Sequence, residues 1–249
     1  MELSKRLQAV ADLVGKGLVV ADVGTDHGYI PIYLIESGKC EKAFAMDVNE
    51  GPLLRAKEHI NEHGLAERIT TRLSDGVKAL EVGECESVVV AGMGGTLAIK
   101  IIEEGKEIFR SLREFVLQPQ SELEKVRQYL NENGFQVVAE DMVLEDGKYY
   151  PMMKVINAMD SKYSLIELRY GRGLLNQKHP ILKAFLEKEC IIYTFDSQLQ
   201  GTIKKISDNA ILLERKGDKT TEIVNADFIV RIREFPKNKK GKSKSVILD

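Results

Sequence analysis

Between residues 18 and 134, short β-branched runs alternate with helical stretches, and this alternation leaves the chain few folds to adopt. LVVADV (18–23), KAFAMD (42–47), RITTRLSD (68–75), SVVVAGMGG (87–95) and EFVLQPQ (114–120) each read as a strand. The intervening YIPIYLIESG, PLLRAKEHINEHG, TLAIKIIEEGKEIF and SELEKVRQYLNENG read as helices. Gly64 and Gly134 are stop signals, and Ser121 with Glu124 reads as a capping box opening the last of these helices. Leu3, Leu7, Val10, Ala11 and Val14 share one face of a further helix before the first strand. Alternation of this kind builds a parallel sheet wrapped on both faces. The rhythm then breaks. Residues 135–158 hold two strand-like runs joined through Glu145-Asp146-Gly147-Lys148, a hairpin with no intervening helix. The expected fold is α/β and Rossmann-like, a seven-stranded, mostly parallel sheet ending in an antiparallel hairpin.

After about residue 160 the texture changes. SLIELRYGRGLL and PILKAFLEKE look helical. CIIYTF, GTIKKI, AILLER, TTEIV and DFIVRI then follow as short strand-like runs between Gly, Asp and Asn turns, as in a small twisted sheet or barrel. The spacing predicts one domain over 1–160 and an appendage over 161–249: helical at 161–189, β at 190–235, and a basic flexible tail at 236–249. Charge divides the same way. Residues 1–157 carry 18 Lys/Arg against 26 Asp/Glu, whereas residues 158–249 carry 18 against 12. An acidic body with a basic appendage suits a polyanionic partner such as RNA, although PKNKKGKSK (236–244) taken alone reads equally well as a solvated lysine run.

Other function classes fall away. No apolar run approaches the ~20 residues of a membrane span, and Glu2, Lys5, Arg6 and Gln8 interrupt the N-terminal segment, so it is no signal peptide. Cys40, Cys85 and Cys190 are far apart and read as reduced thiols. His59, His63 and His179 form no metal-ligand pattern. A cytoplasmic, metal-free monomer is expected.

The turn after the first strand, ADVGTDHGYI (21–30), fails the dinucleotide fingerprint: Asp26 and Tyr29 stand where it needs glycine. Asp26 would repel a diphosphate at a helix N-terminus. S-adenosylmethionine (SAM) has no phosphate and carries a sulfonium and an ammonium, so an acid there is tolerable. A sheet ending in an antiparallel hairpin is also the arrangement of SAM-dependent methyltransferases. Asp47, ending the second strand, can accept bonds from both ribose hydroxyls, and Asp75-Gly76, ending the third, can reach the adenine amino group. Acids at helix N-termini also have a purely electrostatic explanation. Gly92-Met93-Gly94-Gly95 has none of the acid, prolines and aromatic residue with which many methyltransferases grasp an exocyclic amine. Its glycines leave the backbone open to a flat base, or simply allow a tight turn.

ADVGTDHGYIPIYL (21–34), Asp47, LSDG (73–76), VVVAGMGG (88–95), LQPQ (117–120) and KYYPM (148–152) together resemble the bacterial tRNA adenine-22 N1-methyltransferase family. LSKRLQAVADLV and YGRGLLNQKHPILKAFLEKE also look like that family, so the likeness covers roughly residues 1–189. It implies a class I SAM-dependent methyltransferase domain and a helical C-terminal coiled-coil domain that helps hold tRNA. After Glu189 this chain departs from that pattern into strand-like runs.

The reading that follows has Asp26 facing the target adenine as the catalytic acid residue, with Tyr29 orienting or stacking the base. The cofactor envelope comprises Asp22, Gly24, Thr25, His27, Gly28, Asp47, Val48, Asn49, Asp75, Gly76, Gly92, Met93 and Gly94. Substrate contacts are expected from Arg6, Gln118, Pro119, Arg169, Arg172 and Lys178, the basic ones explained equally by solvated faces. Rival readings are a SAM methyltransferase of another RNA or a small molecule, a non-catalytic SAM- or RNA-binding module, and a nicotinamide oxidoreductase, which Asp26 and the terminal hairpin disfavour.

Overall fold

The computed structural model describes residues 1–186, 189–194, 196–207 and 209–234. The expected lysine-rich tail at 236–249 lies outside the described residues. Contacts fall into two compact units, Met1–Ser161 and Lys162–Asp249.

The first unit runs α1 (Lys5–Leu13), β1 (Val20–Val23), α2 (Tyr29–Glu36), β2 (Ala43–Asp47), α3 (Glu50–Glu62), β3 (Ile69–Leu73), β4 (Ser87–Met93), α4 (Gly95–Glu104), α5 (Lys106–Ser111), β5 (Glu114–Pro119), α6 (Leu123–Glu132), β6 (Phe135–Glu145) and β7 (Lys148–Asn157). The seven strands take the order β3-β2-β1-β4-β5-β7-β6, and β7 alone runs against the others. Asp146 and Gly147, both at positive φ, form the two-residue turn of the hairpin, and Glu145 pairs with Lys148 across it.

The two faces of the sheet follow from the period of two along each strand. Val20, Ala43, Val89 and Val116 point to the side covered by Val10 of α1, Ile32 of α2 and Ile60 of α3. Ala21, Val88, Val90, Phe115 and Leu117 point to the other, against Ile102 of α4, Phe109 of α5 and Leu130 of α6. Phe115 sits edge-on between Phe109 and Phe135, with ring centroids 5.1 and 5.3 Å away. Every residue of β1 is buried, as a central strand with helices on both faces requires.

Two local expectations are corrected. The single helix expected over TLAIKIIEEGKEIF breaks at Gly105 into α4 and α5. The capping box does not form: the N-cap of α6 is Glu122, in left-handed conformation, with no side-chain cap bond. Ser121 Oγ instead accepts the Gly95 N–H (3.3 Å), and Glu122 accepts the Thr96 N–H (3.1 Å). The loop before α6 thus caps α4, whose own N-cap, Gly94, has no side chain to offer.

The second unit begins with α7 (Leu165–Tyr170), α8 (Arg172–Asn176) and α9 (Pro180–Leu186). Ser164 and Glu167 form a complete capping box on α7, and proline opens α9. Then come β8 (Glu189–Thr194), β9 (Gln198–Ser207), β10 (Ala210–Arg215), β11 (Thr221–Asn225), the 3-10 turn η1 (Ala226–Phe228) and β12 (Ile229–Glu234). They form one antiparallel sheet in the order β11-β10-β9-β8-β12 around buried Ile192, Leu199, Ile203, Ile211, Leu213 and Val224. The helical continuation that the resemblance implies is not what the described residues show after α9: from Glu189 they form β-structure.

Gly201 of β9 lies so close to β10 that a Cβ there would sit 2.1 Å from the Glu214 carbonyl oxygen. That oxygen belongs to backbone and cannot rotate away. Gly201→Ala is expected to destabilise this sheet by about 1–3 kcal/mol, the usual cost of overpacking. Amide exchange over 198–215 should accelerate while exchange in β1 and β4 stays as in the parent; unchanged protection over 198–215 would refute it.

Candidate active site

The strand order reverses its direction of growth between β1 and β4. Open α/β sheets hold ligands in the crevice at such a point, outside the carboxyl ends of the strands. The turn leaving β1 there has three left-handed residues in five: Gly24 (φ +74), Asp26 (φ +50) and Gly28 (φ +73). The Gly24 and Thr25 N–H groups donate to the Met46 carbonyl (2.8 and 2.9 Å), and the Gly28 N–H donates to the Thr25 carbonyl (3.0 Å). These bonds hold Asp26 in a region non-glycine residues seldom enter. A side chain at Gly24 would be strained by its φ and would begin 2.4 Å from Met93 Cε. The turns after β1 and β4 therefore meet at Gly24 and Met93, on the floor of the crevice.

Two buried acids lie behind this floor. Asp47 ends β2; its Oδ1 accepts the Asn49 N–H (2.9 Å) and its Oδ2 the Asp26 N–H (3.4 Å). Asp22, only 3% exposed, accepts a bond from the Thr25 hydroxyl at 2.7 Å. Burial pushes the Asp22 carboxyl up to about 7; the Thr25 bond opposes that rise and the nearby Asp47 charge adds to it. Asp75, by contrast, is exposed and ion-paired with Lys78, which holds its carboxyl below the usual range. Val48 is exposed and Asn49 is the N-cap residue of α3.

Asp26 points outward. Its side chain is 60% exposed, Arg55 Nη2 donates to Oδ1 at 2.9 Å, and His27 Nε2 lies 3.5 Å from Oδ2. It does not cap α2, whose N-cap is Gly28. His27, Tyr29 and His59 form a cluster of near-parallel rings with centroids 5.2 to 5.4 Å apart. His59 Nδ1 bonds the His27 carbonyl at 3.0 Å, and His27 Nδ1 is buried without a hydrogen-bond partner among the described residues. Tyr29 remains 38% exposed beside Asp26. Arg55 and His59 were missed in the sequence. Their i, i+4 spacing on α3 is the signal that could have found them, since it places both on one helix face.

The turn after β4 is braced from below. Gln118 is fully buried; its Oε1 accepts the Gly92 N–H (3.2 Å) and Arg6 Nη1 (3.1 Å). The Arg6 guanidinium also lies over the Tyr150 ring at 5.6 Å. The structure thus places Arg6, Gln118 and the buried Pro119 as supports of the Gly92–Met93 turn. In the second unit Arg172 is held by Glu167 (2.6 Å) and stacks over Tyr163 (3.9 Å), Arg169 lies in the last turn of α7, and Lys178 follows α8 at φ +50. The described residues hold no cluster of three or more His, Cys, Asp or Glu able to bind a metal ion, and no helix among them is long and apolar enough to cross a membrane.

Comparison with known proteins agrees with this geometry. The family model described as a methyltransferase domain matches residues 3–153. The tRNA (adenine(22)-N(1))-methyltransferase of Bacillus subtilis is 35% identical over 172 residues, covering 69% of this chain and 72% of the relative. A Streptococcus pneumoniae chain solved in complex with S-adenosyl-L-methionine is 37% identical, with a TM-score of 0.71 over 74% of this chain and 86% of that one. The solved B. subtilis M1A22 tRNA methyltransferase TrmK is 31% identical, with a TM-score of 0.69 over 74% and 81%. With the switch-point crevice, the hairpin-terminated sheet and these matches in agreement, the chain belongs to the tRNA (adenine(22)-N(1))-methyltransferase family of class I methyltransferases.

Proposed function

We propose that the chain transfers a methyl group from SAM to N1 of an adenine in tRNA, adenine 22 by family membership. The observation that carries this reading is the crevice at the switch point: Gly24 meets Met93 over buried Asp22 and Asp47, and Asp26 stands at its mouth. Carboxylates crowded around one crevice suit a cationic donor and would repel a diphosphate. Asp47 has already accepted one backbone N–H on each oxygen, and the free lone pair of each is positioned for a ribose hydroxyl. Asp22, Gly24, Thr25, His27 and Gly28 form the donor's bed, with Val48, Asn49, Gly76, Gly92 and Gly94 at its rim. Asp75 reaches the donor's adenine only by leaving Lys78, so its backbone neighbours Gly76 and Val77 are the readier contacts.

When bound, SAM supplies a methyl group already activated on a sulfonium. What the protein must do is orient and exclude water. Adenine N1 is a neutral lone pair in an unpaired base and needs no general base to become a nucleophile. Tyr29 offers a ring against which the base can lie. As N1 is alkylated, positive charge spreads to the N6 amino group. Asp26 Oδ2, left free of Arg55, accepts a hydrogen bond from N6 and takes up a proton if the product sheds one. Arg55 holds the carboxylate in place. The basic second unit binds tRNA through Arg169, Arg172 and Lys178. A tRNA substrate puts the enzyme in the cytoplasm.

Unmodified tRNA incubated with methyl-labelled SAM, digested and separated by mass spectrometry, tests this. One 1-methyladenosine per tRNA is expected. Label on another nucleoside, or on a metabolite fraction in place of tRNA, would replace the substrate assignment; SAM binding with no transfer would mark a non-catalytic module.

A further inference from the structure

Among the described residues, the last two strands of the second unit each have one neighbour. β11 and β12 lie at opposite edges of the five-stranded sheet, yet they are consecutive in the chain and joined only by η1. Laid flat, the sheet would hold its edges about 19 Å apart, whereas the connector from residue 225 to 229 reaches roughly 14 Å at most. The sheet must curl, and register shifts at Leu212/Leu213 in β10 and at Ile229/Arg231 in β12 serve that bend. It stops short of closing: among the described residues β11 pairs only with β10, and β12 only with β8. Two rows of backbone N–H and C=O groups remain that a closed barrel would have used.

Apolar surface gathers at the same place. Ile223 of β11 is 73% exposed and Phe228 of η1 is 56% exposed. β11 and η1 bring acids, Glu222, held by Arg215 at 2.7 Å, and Asp227.

We propose that β11 of one copy pairs along β12 of a second copy, so that the sheet continues from subunit to subunit. Two different surfaces meet, and each copy owns one of each, so the contact is head-to-tail. A closed ring with one such contact between each pair of neighbours uses every edge, so the particle is taken as a discrete ring of three or more copies and not the monomer expected from sequence. A twofold β11–β11 dimer would bring acidic edge against acidic edge and leave both β12 edges open. RNA has no strand backbone to match either row, and exposed Ile223 and Phe228 suit protein better than phosphate.

Sedimentation velocity and light scattering of the full chain at low and high micromolar concentration test this. One species of at least three times 27.9 kDa is expected. Ile223→Lys alters only an outward side chain, and it should shift that species to monomer mass with far-UV circular dichroism and SAM binding unchanged. A wild-type protein that stays monomeric or stops at a dimer overturns the proposal, as does an assembly whose mass Ile223→Lys leaves untouched. A monomeric wild type whose tRNA affinity falls with Ile223→Lys assigns the edge to RNA and overturns it equally.

Discussion

Asp26→Asn is expected to slow single-turnover methyl transfer to tRNA about 10²–10³-fold, the usual loss when a group that stabilises developing charge is removed. SAM affinity should hold, because the contribution of residue 26 to the donor's bed is its backbone N–H on Asp47, which the amide variant keeps. Asparagine is the right replacement. Residue 26 sits at φ +50, where Asn is tolerated and Ala is strained, and an Asn oxygen still accepts from Arg55. The variant therefore removes charge and proton affinity while leaving the turn in place. Calorimetry with SAM and rapid-quench kinetics with tRNA separate the two effects. Transfer at the parental rate would sink the assignment of Asp26; a matching collapse of SAM affinity would mean that the carboxylate serves the donor instead of the base.

The fold could be read from sequence where information is local, and was missed where it is tertiary. The short β-branched run LVVADV, followed by a glycine-bearing turn and a helix, reads as a buried parallel strand and forms one, and Asp146-Gly147 marks the two-residue hairpin. The positions of Asp22, one residue before the end of β1, and of Asp47, ending β2, were legible because the strands themselves were; such carboxyl ends are where open sheets put ligands. Ser121 and Glu124 had the right spacing for a capping box, but the uncapped N-terminus of α4 competed for that loop and won. Arg55 and His59 carry no turn or strand signal and acquire meaning only when α3 packs beside the 24–29 turn. Arg6 was read as a phosphate contact from its charge, and Gln118 as a substrate contact from the LQPQ resemblance; what the sequence did not reveal is that fully buried Gln118 ties Arg6 to the Gly92 turn. Ile223 and Phe228 look like ordinary strand residues until the sheet order leaves β11 at an edge.

Asp22 should make both stability and donor affinity depend on pH, in opposite directions. Its carboxyl is held at about 7 in the folded chain against 3.8 for the ordinary side chain, first by burial and then by Asp47. Between those values the folded state carries the extra proton, so stability falls as pH rises through that window and levels off above about 7. At 3% exposure solvent gives little relief, and a shift of this size corresponds to as much as about 4 kcal/mol. Asp22→Asn still accepts from the Thr25 hydroxyl and has no charge to bury. It should match the parent in urea denaturation near pH 4 and exceed it at pH 8 by up to that amount. The donor reverses the preference, since a cation in the crevice favours ionised Asp22. Parental SAM affinity should therefore rise from pH 6 to 8, with release of a proton visible as a buffer-dependent heat of binding, and that slope should vanish in Asp22→Asn. If the parent and variant denature in parallel across pH and bind SAM with the same pH dependence, the carboxyl is not held protonated near neutrality, and the crevice draws its preference for a cation from Asp47 and Asp26 alone.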